Sequence, residues 1–507
     1  MTARSRFCGM LAAALVALAA GEAGAAKKYI FSSWGIGEAT PAQILQCADL
    51  FDRTCCDGVA VNLAVSVPGC HRCYLMADRP LGYAKVEPLA MTLREIVKHP
   101  SLCESLLYVN MAPTNRLAWT DDRAWATVAG NLAVAARLAK AGGLKGFVTD
   151  YEDYWRQNQY RLQPEDGDYR ATWKLARRRA SQVFGALFAE FPDAVVLSFQ
   201  LFLTDPEYGR VDDPCAVMLE KEDLFPGFVN GILDAMPAGA RIVDGCEHLG
   251  YHGEASRGDF YRNVRGQLIG VLPLVAKENR AKYRAQMSVS FGMYMDAYNV
   301  TTNSPYYFGP VRGRRITHFE DNLRQATECA DEYVWFWGEG GFFVDWPKSI
   351  RNWPNVRTWN ETYDGNFDQM CRGVKDPHGL VRGEYASRKA AGTLENLVGD
   401  PPRPNERGGI CHRTCNVETD GWYGVRAMGR GKWLWGKNYF QRAGNWRYDL
   451  GAFRMSFGRP DAAGWREGTA LVRVPEGATE IFTILNGLHG KADSEAEYRE
   501  LAVFRIR

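Results

Sequence analysis

The sequence predicts an α/β protein, a (β/α)8 TIM barrel followed by a small all-β domain of β-sandwich or jelly-roll type. Three observations lead there. Between residues 28 and 339, eight short runs of β-branched and aromatic residues alternate with longer amphipathic segments, the pattern of parallel strands joined by right-handed helical crossovers. Such a barrel takes about 250 residues, more with insertions, so a chain of 507 leaves room for a second module. After the stretch GDPPRPNERGG (399–409) the pattern changes to short strand-like runs cut by Gly, Pro and Asp. An open doubly wound sheet would want a glycine-rich phosphate turn after an early strand, and SSWGIGEATP (32–41) is a poor one.

The strand runs are KYIFSSW (28–34), GVAVNLAV (58–65), SLLYVNMA (105–112) and KGFVTDYE (145–152). They continue as AVVLSFQLF (194–202), RIVDGCEH (241–248), QMSVSFGMYM (286–295) and YVWFWGE (333–339). Between them, residues 120–143 open on Thr-Asp-Asp and close on Gly-Gly, as a capped helix does. Residues 169–191 place apolar side chains at i, i+3, i+4 and i+7, and 318–332 form a further helix leading into the eighth strand. Residues 358–377 read as the closing loop and helix, which puts the barrel domain at 26–398 and the all-β domain at 399–507. In the latter, Trp433, Trp435, Trp446 and Trp465 are candidates for a sugar-binding face.

The first 25 residues read as a signal peptide. Arg4 and Arg6 precede the apolar run MLAAALVALAA, and Ala23-Gly24-Ala25 offers small residues for cleavage. The run is too short to span a bilayer. The expectation is a secreted or periplasmic protein with no membrane partner after cleavage. A formal net charge of +2 without a basic run excludes an electrostatic footprint for nucleic acid. Of 13 cysteines, Cys8 falls in the leader, and the even number that remains in an oxidising compartment predicts loop-stapling disulfides, including those at CHRC (70–73) and CHRTC (411–415). No cofactor or metal is expected, and the oligomeric state is not legible.

Barrel chemistry sits where the strands end, on the loops that follow. The fourth strand ends in Asp150, Tyr151 and Glu152, apolar residues first and acids last. Residues two apart share a face of a strand, so Asp150 and Glu152 are expected on one side and Tyr151 on the other. The sixth strand delivers Asp244 and Glu247, then Tyr251 and His252. The seventh brings Tyr294 and Asp296, the eighth Trp335, Trp337 and Glu339. Earlier strand ends carry Trp34, Asn62, Asn110 and Gln200. A ring of carboxylates, amides and indoles suits a pyranoside: acids hold hydroxyls, amides orient, indoles stack on the ring. Two carboxylates flanking a glycosidic bond carry its hydrolysis, one protonating the leaving oxygen while the other attacks or activates water. The expected catalytic residues are Glu152 and Glu247, assisted by Asp150, whose charge raises the pKa of its neighbour.

At these residues the chain resembles glycoside hydrolases with (β/α)8 barrels. GFVTDYE resembles the end of the chitinase-type D-x-x-D-x-D-x-E motif, keeping Asp150 and Glu152 but carrying Lys145 and Val148 in place of the earlier acids. Acids on strands four and six resemble the placement in α-galactosidase-like barrels. The resemblance covers the barrel and implies hydrolysis of a poly- or oligosaccharide. The competing readings are a non-catalytic carbohydrate-binding barrel and a barrel hydrolase or lyase acting on another substrate.

Overall fold

Each predicted strand forms. The computed structural model describes residues 27–33, 39–63, 74–77, 79–153, 155–202, 208–248, 257–311, 313–347, 356–363, 367–398, 411–431, 434–486 and 496–506. The first strands are β1 (Lys28–Ser33), β2 (Gly58–Asn62), β3 (Leu106–Asn110) and β4 (Gly146–Asp150). Then come β5 (Val195–Ser198), β6 (Arg241–Asp244), β7 (Met287–Val289), β8 (Gly292–Tyr294) and β9 (Tyr333–Gly338). All pair in parallel, in the order β7-β6-β5-β4-β3-β2-β1-β9-β8. β7 and β8 are the two halves of the seventh predicted strand, broken at Ser290 and Phe291. The first half pairs with β6 and the second with β9, which closes the ring. The break still bridges both sides: Ser290 N–H donates to the Asp244 carbonyl at 2.7 Å and its hydroxyl to the Tyr333 carbonyl at 2.8 Å.

Strand alternation sorts the side chains. Ile30, Ala60, Leu106, Val148, Val195, Leu197, Phe199, Val243, Tyr333 and Trp335 form one buried cluster inside the ring. The alternate residues, among them Phe147, Val196 and Ile242, are equally buried on the side of the helices. Those helices start where the sequence caps them. Asp121 accepts the Arg123 and Ala124 N–H groups ahead of α1 (Asp122–Ala141), and Asp168 accepts that of Ala171 ahead of α2 (Tyr169–Glu190). At the N-terminal ends of the strands Lys28 lies 3.0 Å from Glu104 and 2.7 Å from Glu332, and Arg241 also pairs with Glu332. No helix among the described residues is long and apolar enough to cross a membrane.

The chain divides into two compact units, Met1–Cys371 and Arg372–Arg507. The division precedes the Pro/Gly stretch at 399–409, so α3 (Pro377–Ala391) falls in the second unit. That unit holds two antiparallel sheets. One runs β10 (Cys411–Asn416), β17 (Glu480–Asn486), β12 (Trp435–Arg442) and β13 (Asn445–Trp446), with β14 (Ala452–Arg454) beside β12. The other runs β15 (Ser456–Phe457), β16 (Trp465–Arg473), β11 (Trp422–Arg430) and β18 (Glu497–Arg505). Phe440, Ile481 and Leu485 of the first sheet share a core with Val425, Ala470 and Val503 of the second, which makes a sandwich. α3 covers the outer side of the second sheet: Tyr385 lies under the Arg426 guanidinium, and His378 Nδ1 bonds Thr469 Oγ1 at 2.7 Å.

The expected disulfide framework does not form among the described thiols. Cys47, Cys55, Cys56, Cys103, Cys215, Cys246, Cys329, Cys371 and Cys415 all stand outside any disulfide. Most are buried in the role of a small apolar residue. Cys70 and Cys73 lie outside the described residues, as does Trp433. Trp465 is flanked by Arg430 and Arg499, at 5.0 and 4.1 Å from its ring, and offers no sugar platform.

Candidate active site

Strand β4 ends at Asp150, on the interior face it shares with Val148. The carboxylate is 3 % exposed. Its Oδ2 accepts the Tyr108 hydroxyl at 2.7 Å and its Oδ1 the Glu152 N–H at 2.8 Å. The second bond is a side chain-to-backbone turn that stops the strand and places Glu152 on the first residues of the loop. Tyr151 takes the opposite side, packed against Tyr160 and Phe225 in the helical layer.

Burial pushes the Glu152 carboxyl up to about 8, and the Asp150 and Glu339 charges add to the shift. Burial also raises Asp150, opposed by its two donors. Like charges this close do not both ionise cheaply, so the proton rests on Glu152 while the doubly bonded Asp150 carries the charge. Glu339 is exposed at the end of β9 and accepts the Trp337 indole N–H at 3.3 Å.

The remaining residues sort into three groups. Gln200 Nε2 donates to Glu247 Oε2 at 3.0 Å, which fixes a carboxylate that is only 7 % exposed. Glu247 reaches this position because the chain turns sharply after β6. Gly245 N–H donates to the Ser198 carbonyl, Cys246 adopts a left-handed φ of 47°, and Glu247 N–H returns to the Phe199 carbonyl at 3.1 Å. Phe199 is the hub of an aromatic floor: Trp335 stacks on it at 4.0 Å, and Trp337 and Tyr108 approach at 6.0 and 6.2 Å. Asn62 and Asn110 are buried at the ends of β2 and β3, with Asn110 Oδ1 accepting the Ala112 N–H at 2.8 Å.

Three expected hydroxyl-binding residues do other work. Asp244 is one step out of phase with the interior Val243. It faces the helical layer, where its charge acts on Tyr283, and it accepts the Cys246 N–H at 3.0 Å. Burial lifts its carboxyl to about 7. Trp335 is 2 % exposed, and its indole donates to the Gly245 carbonyl at 2.8 Å, so it fills the barrel instead of offering a free face. Asp296 accepts the Glu339 and Gly340 N–H groups at 2.7 and 2.6 Å and so holds the loop after β9. A Cβ on Gly340 would lie 2.5 Å from the Asp296 Oδ1, so a side chain there would push the carboxylate off its two donors. Tyr294 is half-buried, and burial with the Glu339 and Asp296 charges raises its hydroxyl. Trp34, Tyr251 and His252 lie outside the described residues.

Sequence reasoning missed Tyr108 and Phe199. Tyr108 had a signal, since it sits two residues before Asn110 on the same face of its strand. Phe199 had none, being one apolar residue in an apolar run.

The arrangement is that of a (β/α)8 barrel whose mouth carries a protonated carboxylic acid, a neighbouring carboxylate and a third acid held by an amide. No family model matches the chain, and no curated protein does. Among solved structures it is similar to a GH5-4 broad-specificity endoglucanase from an uncultured bacterium, at 10% identity over 66% of this chain and 86% of that one, TM-score 0.36. It is also similar to the tandem GH20 catalytic modules of a pneumococcal exo-β-D-N-acetylglucosaminidase, at 11% over 71% and 87%, TM-score 0.35. D-psicose 3-epimerase is similar to the same degree, at 13% over 72% and 99%, TM-score 0.34. Likeness this distant transfers no activity, and the chemistry has to be read from the side chains.

Proposed function

We propose that the protein is an exported glycoside hydrolase that cleaves glycosidic bonds in a poly- or oligosaccharide. One observation carries the reading: two carboxyl groups two residues apart at the mouth end of β4, one buried and held by two donors, the other lifted to about 8. An acid with that pKa keeps its proton at neutral pH and can give it to a leaving glycosidic oxygen. Glu152 is the general acid. Glu247, oriented by Gln200, is the nucleophile or the base that activates water. Asp150 keeps the proton on Glu152. The half-buried Trp337 and Tyr294 supply ring faces for a sugar, and Glu339 and the strand-end amides supply hydroxyl partners. Export rests on the leader segment alone.

Purified wild type, Glu152→Gln and Glu247→Gln assayed on a panel of glycans test this. Each substitution is expected to lower turnover by at least about a hundredfold, the usual contribution of a positioned proton donor or acceptor. Wild-type rates in both variants would dismiss the assignment, and binding without turnover by the wild type would make the barrel a carbohydrate receptor.

A further inference from the structure

The second unit carries a surface that the barrel chemistry leaves unused. In its first sheet Phe440, Ile481 and Leu485 point into the core. The alternate residues point outward: Lys437 beside Ile484, Tyr439 beside Phe482, and Gln441 beside Trp446. Trp446 meets Tyr439 edge-on at 5.2 Å and Phe482 at 4.6 Å, while Tyr448 lies parallel to it, centroids 5.7 Å and planes 5° apart. Both rings of this step stand in water, Trp446 38% and Tyr448 70% exposed. The step is braced: Arg447, between the two in sequence, donates to Asp449 through Nε and Nη2 and to the Gly477 carbonyl through Nη1 at 3.0 Å.

Charge accompanies the rings. Lys437 lies 4.6 Å over the Tyr439 ring and directly opposite Arg454 across the β12–β14 pair. Like charges facing each other weaken a strand pair, and among the described residues neither forms an ion pair: of the nearby acids, Asp449 pairs with Arg447 and Glu480 accepts the Gly444 N–H. A ligand that brings negative charge would relieve that repulsion.

We propose that this face binds an anionic polysaccharide. Pyranose C–H faces would stack on Trp446 and Tyr448, and carboxylates or sulfates would sit against Lys437 and Arg454. Two cations beside a narrow aromatic step match the charge on successive sugars better than the dense charge of a nucleic-acid backbone. The proposal rests on the second unit alone and stands apart from the reading of the barrel mouth.

Isothermal titration of the full chain carrying Glu152→Gln, against polygalacturonate, dextran sulfate, neutral xyloglucan, single-stranded DNA and phosphatidylserine vesicles, provides the test. Polygalacturonate reports carboxylate recognition and dextran sulfate, which has no carboxylate, reports sulfate. Binding to one of them at least about tenfold tighter than to xyloglucan is expected, equivalent to about 1.4 kcal/mol. Tyr448→Ala, at a side chain too exposed to matter for folding, and Trp446→Ala should each weaken it about tenfold. Lys437→Gln with Arg454→Gln should abolish the preference for charge. Equal affinity for xyloglucan, unchanged binding in the aromatic variants, or binding only to single-stranded DNA or phosphatidylserine vesicles would each overturn the proposal. Should Glu152→Gln hydrolyse glycans like the wild type, the barrel reading fails while this one is still decided by the titration.

Discussion

At the scale of single residues the site is governed by where protons rest. Glu152 titrates near 8 because it is buried beside Asp150 and Glu339. The general acid proposed for this site must be protonated, so kcat/KM is expected to fall as the pH rises through about 8. Glu339→Gln removes one of the two charges acting on it, and the basic limb should move to lower pH. A pH–rate profile with an unmoved limb would rule out that coupling. The same pKa has a consequence for stability. The folded value lies above the ordinary 4.5, so the contribution is fully present below pH 4.5 and is lost as the pH rises through about 8. Glu152→Gln removes the titration. Its stability relative to wild type should therefore grow by on the order of 3–5 kcal/mol between pH 4.5 and pH 9, read from urea unfolding at both ends. A constant difference would mean that Glu152 is ordinary.

At the scale of elements, the turn after β6 does the most positioning. A Cβ on Gly245 would lie 2.6 Å from the Ser198 carbonyl oxygen and 2.9 Å from the Trp335 indole nitrogen. Gly245→Ala is expected to cost about 1–3 kcal/mol through overpacking, measured as a lower Tm, and to loosen Glu247 from Gln200 with a fall in activity. This is also where the sequence is hardest to read. The eight strands were legible because β-branched runs alternate with helical ones, and Asp150 because a strand that ends in acids must end at a mouth. Asp244 was misplaced because the residue next to it, Val243, takes the interior phase, and one step of register moves a side chain to the other face. Trp335 was misread for a related reason: an indole near a strand end looks the same whether its neighbour is solvent or Phe199. The described cysteines form no disulfide, and a buried thiol packs as a small apolar residue in any compartment, so a cysteine count alone does not specify pairing.

At the scale of the molecule, two cores are built from separate stretches of chain. The second unit has its own sandwich core and its own covering helix, with Asp376 capping α3 and Gly392 ending it at a left-handed φ of 67°. Residues 372–507 expressed alone are expected to unfold in one cooperative thermal transition with native near-ultraviolet dichroism. A gradual transition would show that the core depends on the rest of the chain. In the barrel, the stack of Phe199 and Trp335 has a consequence for traffic. The rings stack within the buried cluster inside the ring, and the N-terminal ends of the strands carry the ion pairs of Lys28, Glu104 and Glu332. If the proposed hydrolysis takes place at the mouth, a fragment entering there leaves by the same door, so an outgoing fragment and the next incoming chain would compete for one opening, and product inhibition is expected to show in progress curves.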